Sequence, residues 1–241
     1  MKFLISISYD GSKYHGLQKL NDKNTVQGEL EHVLTILNEN PVSIKAAGRT
    51  DKGVHALDQK CHFELDKKIT PFKLKGYLNR STSPYLYIND CQIIEDRDFH
   101  ARFSVKKKTY LYKINIGNYS PIENDYVYNF NKDLNIEAMR FAAKIIEGPH
   151  SYKAFVTDRH KTYDSIIDYI KIKKVKNIIE IEVKGKAFYT HMVRNIAKIL
   201  VLAGSNNITN KQIEEMLETG KRVVEYAPAP ASGLYLKKIE Y

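Results

Sequence analysis

Short alternating segments and amphipathic helical segments follow one another along the whole chain of 241 residues. Residues 3–9 alternate apolar and polar side chains, as a strand with one buried face does. Residues 25–38 instead carry apolar side chains at helical spacing, among them Val26, Leu30 and Leu34. This mixture predicts an α+β fold with antiparallel sheets and with helices packed on one face.

The same patterns place the other elements and divide the chain into two similar halves. We predict further strands at 42–47, 59–65, 85–94, 109–116, 163–174, 178–185 and 233–240. Further helices are predicted at 71–79, 135–146, 188–202 and 210–218, with capping boxes at Asn24–Gln27 and Thr209–Gln212. The predicted domains are 1–104 and 105–241, each with strands and helices in a similar layout.

The balance of charge indicates a nucleic acid partner. Lys and Arg number 38 against 28 Asp and Glu, a net charge of +10, and the aromatic residues are mostly Tyr. Cations attract phosphates and aromatic rings stack on bases, so this composition favours RNA or DNA binding. The alternative is a basic protein whose lysines only keep it in solution.

Cysteine usage and hydropathy predict a soluble cytoplasmic protein that binds no membrane. Cys61 and Cys91 lie in apolar strand segments and in no CxxC pair, as buried free thiols do in a reducing compartment. The apolar run at residues 1–9 is too short for a signal peptide. No stretch approaches the length of a spanning helix.

The histidines and glycines provide no pattern for a metal or a cofactor. None of the eight His residues forms HxxxH or HExxH, and His62 and Cys61 are neighbours on a strand, so they point to opposite faces. P-loop, GxGxxG and GxSxG patterns do not occur. We therefore expect neither a metal nor a cofactor.

One carboxylate stands in a polar loop that follows the predicted strand at 42–47. Asp51 lies between Gly48 and Gly53, with the cations of Arg49 and Lys52 beside it. Glycines allow a tight turn, and the cations favour an ionised carboxylate that acts as a nucleophile or a base. The alternative is an ordinary turn aspartate.

Two further candidate site residues lie in the second half of the chain. Arg194 lies in a helix that is apolar nearly all round, so its charge needs an anionic partner, for which Asp51 is a candidate, unless the side chain snorkels to solvent. Tyr110 follows a basic run and shares a strand face with Tyr112. The alternative interpretation of Tyr110 is an ordinary strand residue without a role in a site.

Seven motifs, in order and over nearly the whole chain, resemble the tRNA pseudouridine synthase A family. They are Tyr9-Asp10-Gly11 with His15-Gly16 and Gln18, Thr25-Val26-Gln27-Gly28, Gly48-Arg49-Thr50-Asp51 with Gly53-Val54-His55-Ala56, Phe99-His100-Ala101-Arg102-Phe103, Tyr110-Leu111-Tyr112, Met192-Val193-Arg194-Asn195, and Ala229-Pro230 with Gly233-Leu234. The resemblance implies the pseudouridine synthase fold with a basic active-site cleft. It also implies an isomerase that acts without cofactor or metal, as a homodimer, on uridines 38, 39 and 40 of the tRNA anticodon stem-loop.

Site roles follow from the resemblance, position by position. Asp51 matches the catalytic aspartate, which attacks the uridine at C1′ or C6 or removes a C2′ proton. Tyr110 matches the tyrosine that stacks on the base, and Arg194 matches the arginine that pairs with the aspartate. Leu234 matches an apolar residue beside the site, and Arg49 supports the loop or contacts the flipped-out nucleotide.

Phosphate contacts are predicted for basic residues near these motifs. They are Lys13, Arg102, Lys106, Lys107 and Lys108. A paired uridine must leave its stack, at a cost of a few kcal/mol that phosphate contacts would offset. The alternative for each is a solvated charged surface.

Two departures from the family pattern concern RNA contacts. Leu17 stands where the family usually has Trp, and Tyr189 or Thr190 stands where a basic residue is usual. A paralogue acting on ribosomal RNA therefore stays open as a function, as does a non-catalytic RNA-binding protein. A nucleoside hydrolase would need a second carboxylate or a water-activating group, and no candidate stands out.

Overall fold

The structure is a computed structural model that describes residues 1–159 and 161–241. Contacts divide the chain into two units, one of residues Met1–Lys106 with Tyr235–Tyr241 and one of residues Lys107–Leu234. The last strand therefore lies in the first unit, whereas the predicted domain 105–241 includes it. The division into functional domains at residue 104 stays a prediction.

Ten strands and five α-helices occur in the described residues, which confirms the α+β class. The strands are β1 (Lys2–Tyr9), β2 (Lys45–Ala46), β3 (His55–Glu64), β4 (Leu86–Ile93), β5 (Lys107–Asn115), β6 (Tyr128–Asn129), β7 (Gly148–Ser151), β8 (Asp164–Val175), β9 (Ile178–Gly185) and β10 (Leu234–Glu240). The helices are α1 (Val26–Asn38), α2 (Pro71–Ser81), α3 (Ile136–Ile146), α4 (Met192–Gly204) and α5 (Asn210–Thr219).

In the first unit, β1 lies between β3 and β4 and pairs antiparallel with both. The strand β1 is buried on both faces over residues 3–7, since Leu4 and Ser6 are buried as well as Phe3, Ile5 and Ile7. The alternation therefore predicts the strand correctly, but the expected single buried face was wrong. β2 and β10 both pair with the edge of β3 opposite β1, β2 near the end of β3 and β10 at its first residues. The loop that carries Asp51 thus connects two paired strands, β2 and β3.

In the second unit, β9 lies between β5 and β8 and pairs antiparallel with both, and β7 pairs antiparallel with β8. α3 packs against α4, α5 and β8. The buried side chains of α4 include Ile196, Ile199 and Leu200. This unit therefore has its own apolar core.

Among the described residues, two strand pairs run parallel instead of antiparallel. β10 runs parallel to β3, with Tyr235 opposite His55, and β6 runs parallel to β5. Alternation of side chains reveals which face is buried, but it carries no information on the direction of the neighbouring strand. These two pairs are therefore exceptions to the antiparallel sheets that the sequence predicts.

The ends of the helices show where neighbouring residues alone predict the capping residue correctly. The capping box of Thr209 and Gln212 and the left-handed Gly220 after α5 are confirmed. The box at Asn24 is wrong, because Thr25 caps α1 and Asn24 donates to the carbonyl of Lys13 instead. The helix predicted from residue 188 begins at Met192, after a left-handed His191 that a right-handed helix excludes.

The two thiols are free and buried, as predicted. Burial raises the pKa of Cys61 to about 12 and that of Cys91 to about 11. Among the described residues, no helix combines the length and the apolar character that crossing a membrane requires.

Candidate active site

Asp51 is exposed on a loop whose two ends are buried. Thr50 before it and Val54 after it are both buried, and the Val54 N–H donates to the Asp51 carbonyl at 3.1 Å. Farther back, the buried Gln59 amide of β3 donates to the carbonyl of Gly48 at 2.8 Å. The loop therefore presents one carboxylate at its surface from an anchored main chain.

The turn after β1 packs directly on this loop, which explains two glycines of the first motif. A Cβ at Gly11 would lie 2.0 Å from the Val54 carbonyl oxygen, so no larger residue fits. Gly16 has a φ of 93°, and its Cβ would lie 2.9 Å from the carbonyl oxygen of Thr50. The two segments are far apart in sequence, so their contact could not be read from spacing.

Arg49, the cation predicted to support this loop or to contact the nucleotide, is exposed like Asp51. Leu17, which replaces the usual Trp, is buried and donates its N–H to the Thr50 carbonyl at 3.1 Å. The departure at Leu17 thus lies against the loop, where its side chain contributes to the core.

Tyr110 lies in β5 of the second unit, opposite Val183 of β9. Its ring is nearly buried and meets the Phe188 ring edge to face, at 5.0 Å between centroids. On the same strand, the Tyr112 hydroxyl donates to the Pro230 carbonyl at 2.8 Å, and burial raises the pKa of Tyr112 well above its ordinary value. The predicted strand is confirmed, and the stacking role of Tyr110 stays a prediction.

Arg194 lies in the first turn of α4 and is partly exposed. Its Nε donates to the carbonyl oxygen of Ala229 at 2.6 Å. The next residue, Asn195, is fully buried and donates its amide to the carbonyl of Phe155 at 2.7 Å. The predicted pairing of Arg194 with Asp51 joins residues of different units and stays a prediction.

Leu234 is buried at the start of β10. A Cβ on the preceding Gly233 would lie 2.7 Å from Cζ of Tyr112 and 2.8 Å from the carbonyl oxygen of Lys113. The glycine therefore allows the chain to approach β5 closely, and this approach determines where Leu234 begins its strand.

The predicted phosphate contacts differ in their surroundings. Lys13 and Arg102 are exposed and lie over the rings of Tyr85 and Phe103, each at 5.8 Å from the ring centroid. Lys106 is exposed, and Lys108 is partly exposed.

Lys107 has an anionic partner in its own unit. Its Nζ lies 2.6 Å from a carboxylate oxygen of Asp168. Part of the charge of Lys107 is therefore already compensated.

The side chains that the structure describes do not form a metal-binding cluster. Within residues 1–159 and 161–241, no group of three or more His, Cys, Asp or Glu side chains is arranged to hold a metal ion.

Polar residues that the sequence did not single out as site residues complete the loop. The Tyr9 hydroxyl bonds to the side chain of Thr50 in the Asp51 loop, and the Gln59 amide donates to the main chain of the same loop. His55 lies where the loop enters β3. Tyr9, Thr50 and His55 belong to the motifs quoted above, so motif membership was the available signal. Gln59 had none.

Comparison with known proteins agrees with the motifs. A synthase from Bacillus cereus, tRNA pseudouridine synthase A 2, is 35% identical over 243 residues, which cover 99% of each chain. The tRNA pseudouridine synthase A of Mycoplasmoides gallisepticum is 38% identical over 239 residues, covering 99% of this chain and 90% of that one. That of Thermosipho melanesiensis is 36% identical over 241 residues, covering 99% and 98%.

Comparison with solved structures matches the chain to one titled as the archaeal box H/ACA sRNP Nop10-Cbf5 complex. The similarity has a TM-score of 0.39 at 10% identity, over 88% of this chain and 54% of that chain, which is too low to support a structural argument. The family model for tRNA pseudouridine synthase matches residues 5–104 and 142–241, which include Asp51, Arg194 and Leu234. This chain belongs to the tRNA pseudouridine synthase family.

Proposed function

We propose that this chain isomerises uridine to pseudouridine in the anticodon stem-loop of tRNA, at positions 38, 39 and 40. Membership in the family makes it a pseudouridine synthase, an isomerase. The observation that best supports this site is the exposed Asp51 carboxylate on a loop with buried ends. A residue that must approach a flipped-out nucleotide needs this combination of access and a fixed main chain.

Asp51 is proposed as the group that begins the reaction. Its carboxylate attacks C1′ or C6 of the uridine, or takes a proton from C2′ to give a glycal. The bond between C1′ and N1 breaks, the uracil turns, and C5 bonds to C1′. The C5 proton leaves and N1 gains a proton, so the atoms balance without any oxidant, reductant or group donor.

The other proposed residues hold the reacting parts. The Tyr110 ring stacks on the uracil while the base is detached, and its hydroxyl assists the loss of the C5 proton. The Arg194 guanidinium provides the counter-charge to the Asp51 carboxylate. Leu234 excludes water beside the base, and Arg49 supports the loop or contacts the extruded nucleotide.

The proposed partner is tRNA, bound by a homodimer in the cytoplasm. The net charge of +10 supports binding to an RNA backbone, which releases counterions when cations neutralise phosphates. Lys13, Arg102, Lys106 and Lys108 are the exposed or partly exposed cations proposed to contribute. Lys107 is proposed to contribute less than the exposed Lys106, because Asp168 already neutralises Lys107 in part.

Replacement of Asp51 by Asn tests the reaction. Asp51→Asn keeps the size of the side chain and removes the nucleophile or base, so pseudouridine formation should stop while tRNA binding persists. Tritium release from tRNA labelled at uridine C5 measures the reaction, and filter binding measures the RNA complex. Asp133→Asn, at another exposed aspartate, is the matched control and should behave as wild type.

Mapping of pseudouridine in total RNA tests the substrate. Cells with and without the protein should differ at positions 38, 39 and 40 of tRNA. If tRNA is unaltered and a position of ribosomal RNA changes, the tRNA proposal fails. Activity of Asp51→Asn at the wild-type rate would remove Asp51 from the mechanism, and RNA binding without any pseudouridine formation would leave only a binding protein.

A further inference from the structure

A buried tyrosine holds the residue that immediately precedes Asp51. The hydroxyl of Tyr9, at the end of β1, shares a hydrogen bond of 2.8 Å with Oγ1 of Thr50. Both side chains are buried, so this bond is shielded from water. This bond fixes the position of Thr50 relative to β1, and Thr50 in turn positions the backbone nitrogen of Asp51.

A buried histidine holds the other end of the same loop through the turn after β1. The Gly53 N–H donates to the carbonyl oxygen of Gly11 at 3.2 Å, and the Gly11 N–H donates to Nδ1 of His55 at 3.1 Å. The close contact of Gly11 with the Val54 carbonyl leaves this turn no room to move inward. His55 therefore fixes Gly11, and Gly11 fixes the chain two residues after Asp51.

The ring of His55 is itself fixed on two sides. It is 2% exposed and stacks on the Tyr235 ring at 4.6 Å, in the parallel pair of β3 and β10. Because Nδ1 accepts the Gly11 N–H, the proton of the neutral ring lies on Nε2. Asp10 is 3.3 Å from the same nitrogen, so a protonated ring would donate to that carboxylate and give up its bond to Gly11.

We propose that Tyr9 and His55 are positioning residues for the isomerisation. Tyr9 acts through Thr50 and His55 acts through Gly11 and Gly53, so the two ends of the segment that carries Asp51 are held from the same turn. This inference rests on the proposed role of Asp51. A displacement of about 1 Å in a reacting group costs on the order of 100-fold in rate, so a loosened loop lowers turnover without removing the carboxylate.

The chain offers a matched pair of variants for Tyr9. The Tyr14 ring contacts the Tyr9 ring edge to face at 6.3 Å, but its hydroxyl bonds to Glu29 and Ser83, at 2.7 and 2.8 Å. Tyr9→Phe and Tyr14→Phe thus each remove one hydroxyl from neighbouring sites in the same unit. Tyr9→Phe should lower kcat about tenfold at unchanged KM and RNA affinity, and Tyr14→Phe should leave kcat unchanged.

Rescue by a conservative variant tests His55. In His55→Asn, the amide oxygen takes the place of Nδ1 and accepts the Gly11 N–H, whereas His55→Leu fills the space without an acceptor. We expect His55→Leu to lose about 100-fold in kcat and His55→Asn to recover most of that loss, with similar RNA affinity in both. Thermal unfolding shows which variants fold, and if the His55 variants do not, the comparison of Tyr9 with Tyr14 decides.

The outcomes separate this inference from the proposed function. If Asp51→Asn is inactive but Tyr9→Phe matches Tyr14→Phe in kcat, the positioning role is overturned and the function stands. Equal kcat in His55→Asn and His55→Leu, with both folded, overturns the role of His55. If Asp51→Asn keeps its activity, the proposed function itself fails.

Discussion

Arg194 and Ala229 are joined by two hydrogen bonds in opposite directions. The Arg194 Nε donates to the carbonyl oxygen of Ala229 at 2.6 Å, and the Ala229 N–H donates to the carbonyl oxygen of Arg194 at 3.3 Å. Ala229 is buried, so this stretch of main chain is a fixed acceptor. The direction of the guanidinium is therefore determined by the segment that leads to β10.

A lysine at position 194 should not replace the arginine. Arg194→Lys keeps the positive charge, but an ammonium on a flexible stem lacks the planar fork that holds one N–H on Ala229 while presenting others. We expect kcat to fall about tenfold or more, with similar RNA affinity. Arg140→Lys is the control, because Arg140, like Arg194, donates to a main-chain carbonyl, that of Ile172. Arg140 lies outside the proposed site, so kcat of this variant should be unchanged.

Removal of the Tyr110 hydroxyl separates stacking from proton transfer. Tyr110→Phe keeps the ring and its contact with Phe188, so RNA binding and KM should not change. If the hydroxyl assists loss of the C5 proton, kcat should fall about 100-fold, as for a lost general acid or base. Tyr110→Ala should in addition raise KM. Full activity of Tyr110→Phe in the tritium-release assay would show that the hydroxyl has no part in the reaction.

The salt dependence of tRNA binding should distinguish two neighbouring lysines. Lys106 is exposed, whereas Asp168 already neutralises Lys107 in part. Each lost phosphate contact lowers the slope of log K against log salt by about 0.7–0.9. Lys106→Ala should show this decrease and Lys107→Ala a smaller one, by filter binding between low and high salt. Equal slopes in wild type and Lys106→Ala would exclude Lys106 from the RNA interface.

His62 should make the protein less stable in acid. Its Nδ1 accepts the Ala101 N–H at 3.1 Å. Burial, together with the nearby cations of His100, Lys2 and Lys45, lowers its pKa from 6.5 to about 4. The unfolded chain therefore binds the proton more tightly, so the free energy of unfolding falls as the pH falls from 6.5 to 4 and is unaffected above 6.5.

The variant His62→Asn tests this dependence, because its amide oxygen keeps an acceptor for Ala101 and does not titrate. Urea unfolding at pH 7 and at pH 4.5 should show a smaller loss of stability in the variant than in wild type. The same loss in both proteins would assign the acid sensitivity to other groups.

Local patterns were sufficient wherever the interactions lie within one turn or one strand. Thr209 and Gln212 cap α5 within four residues, and the alternation of residues 3–9 correctly predicts that they form a strand, β1. The capping residue of α1 was predicted as Asn24 and is Thr25, because Asn24 bonds to Lys13, eleven residues away in the chain. Local rules fail where a side chain finds a partner outside its own element.

Local residue patterns predict the α+β class and most of the elements, and the motifs that resemble one family indicate the carboxylate at Asp51. The contacts that hold its loop form only when the chain folds, since 41 residues separate Tyr9 from Thr50 and 44 separate Gly11 from His55. The parallel pairing of β10 with β3 likewise depends on the folded chain. Hydrogen bonds between distant segments depend on how the chain returns to itself, and no local spacing of residues encodes that return.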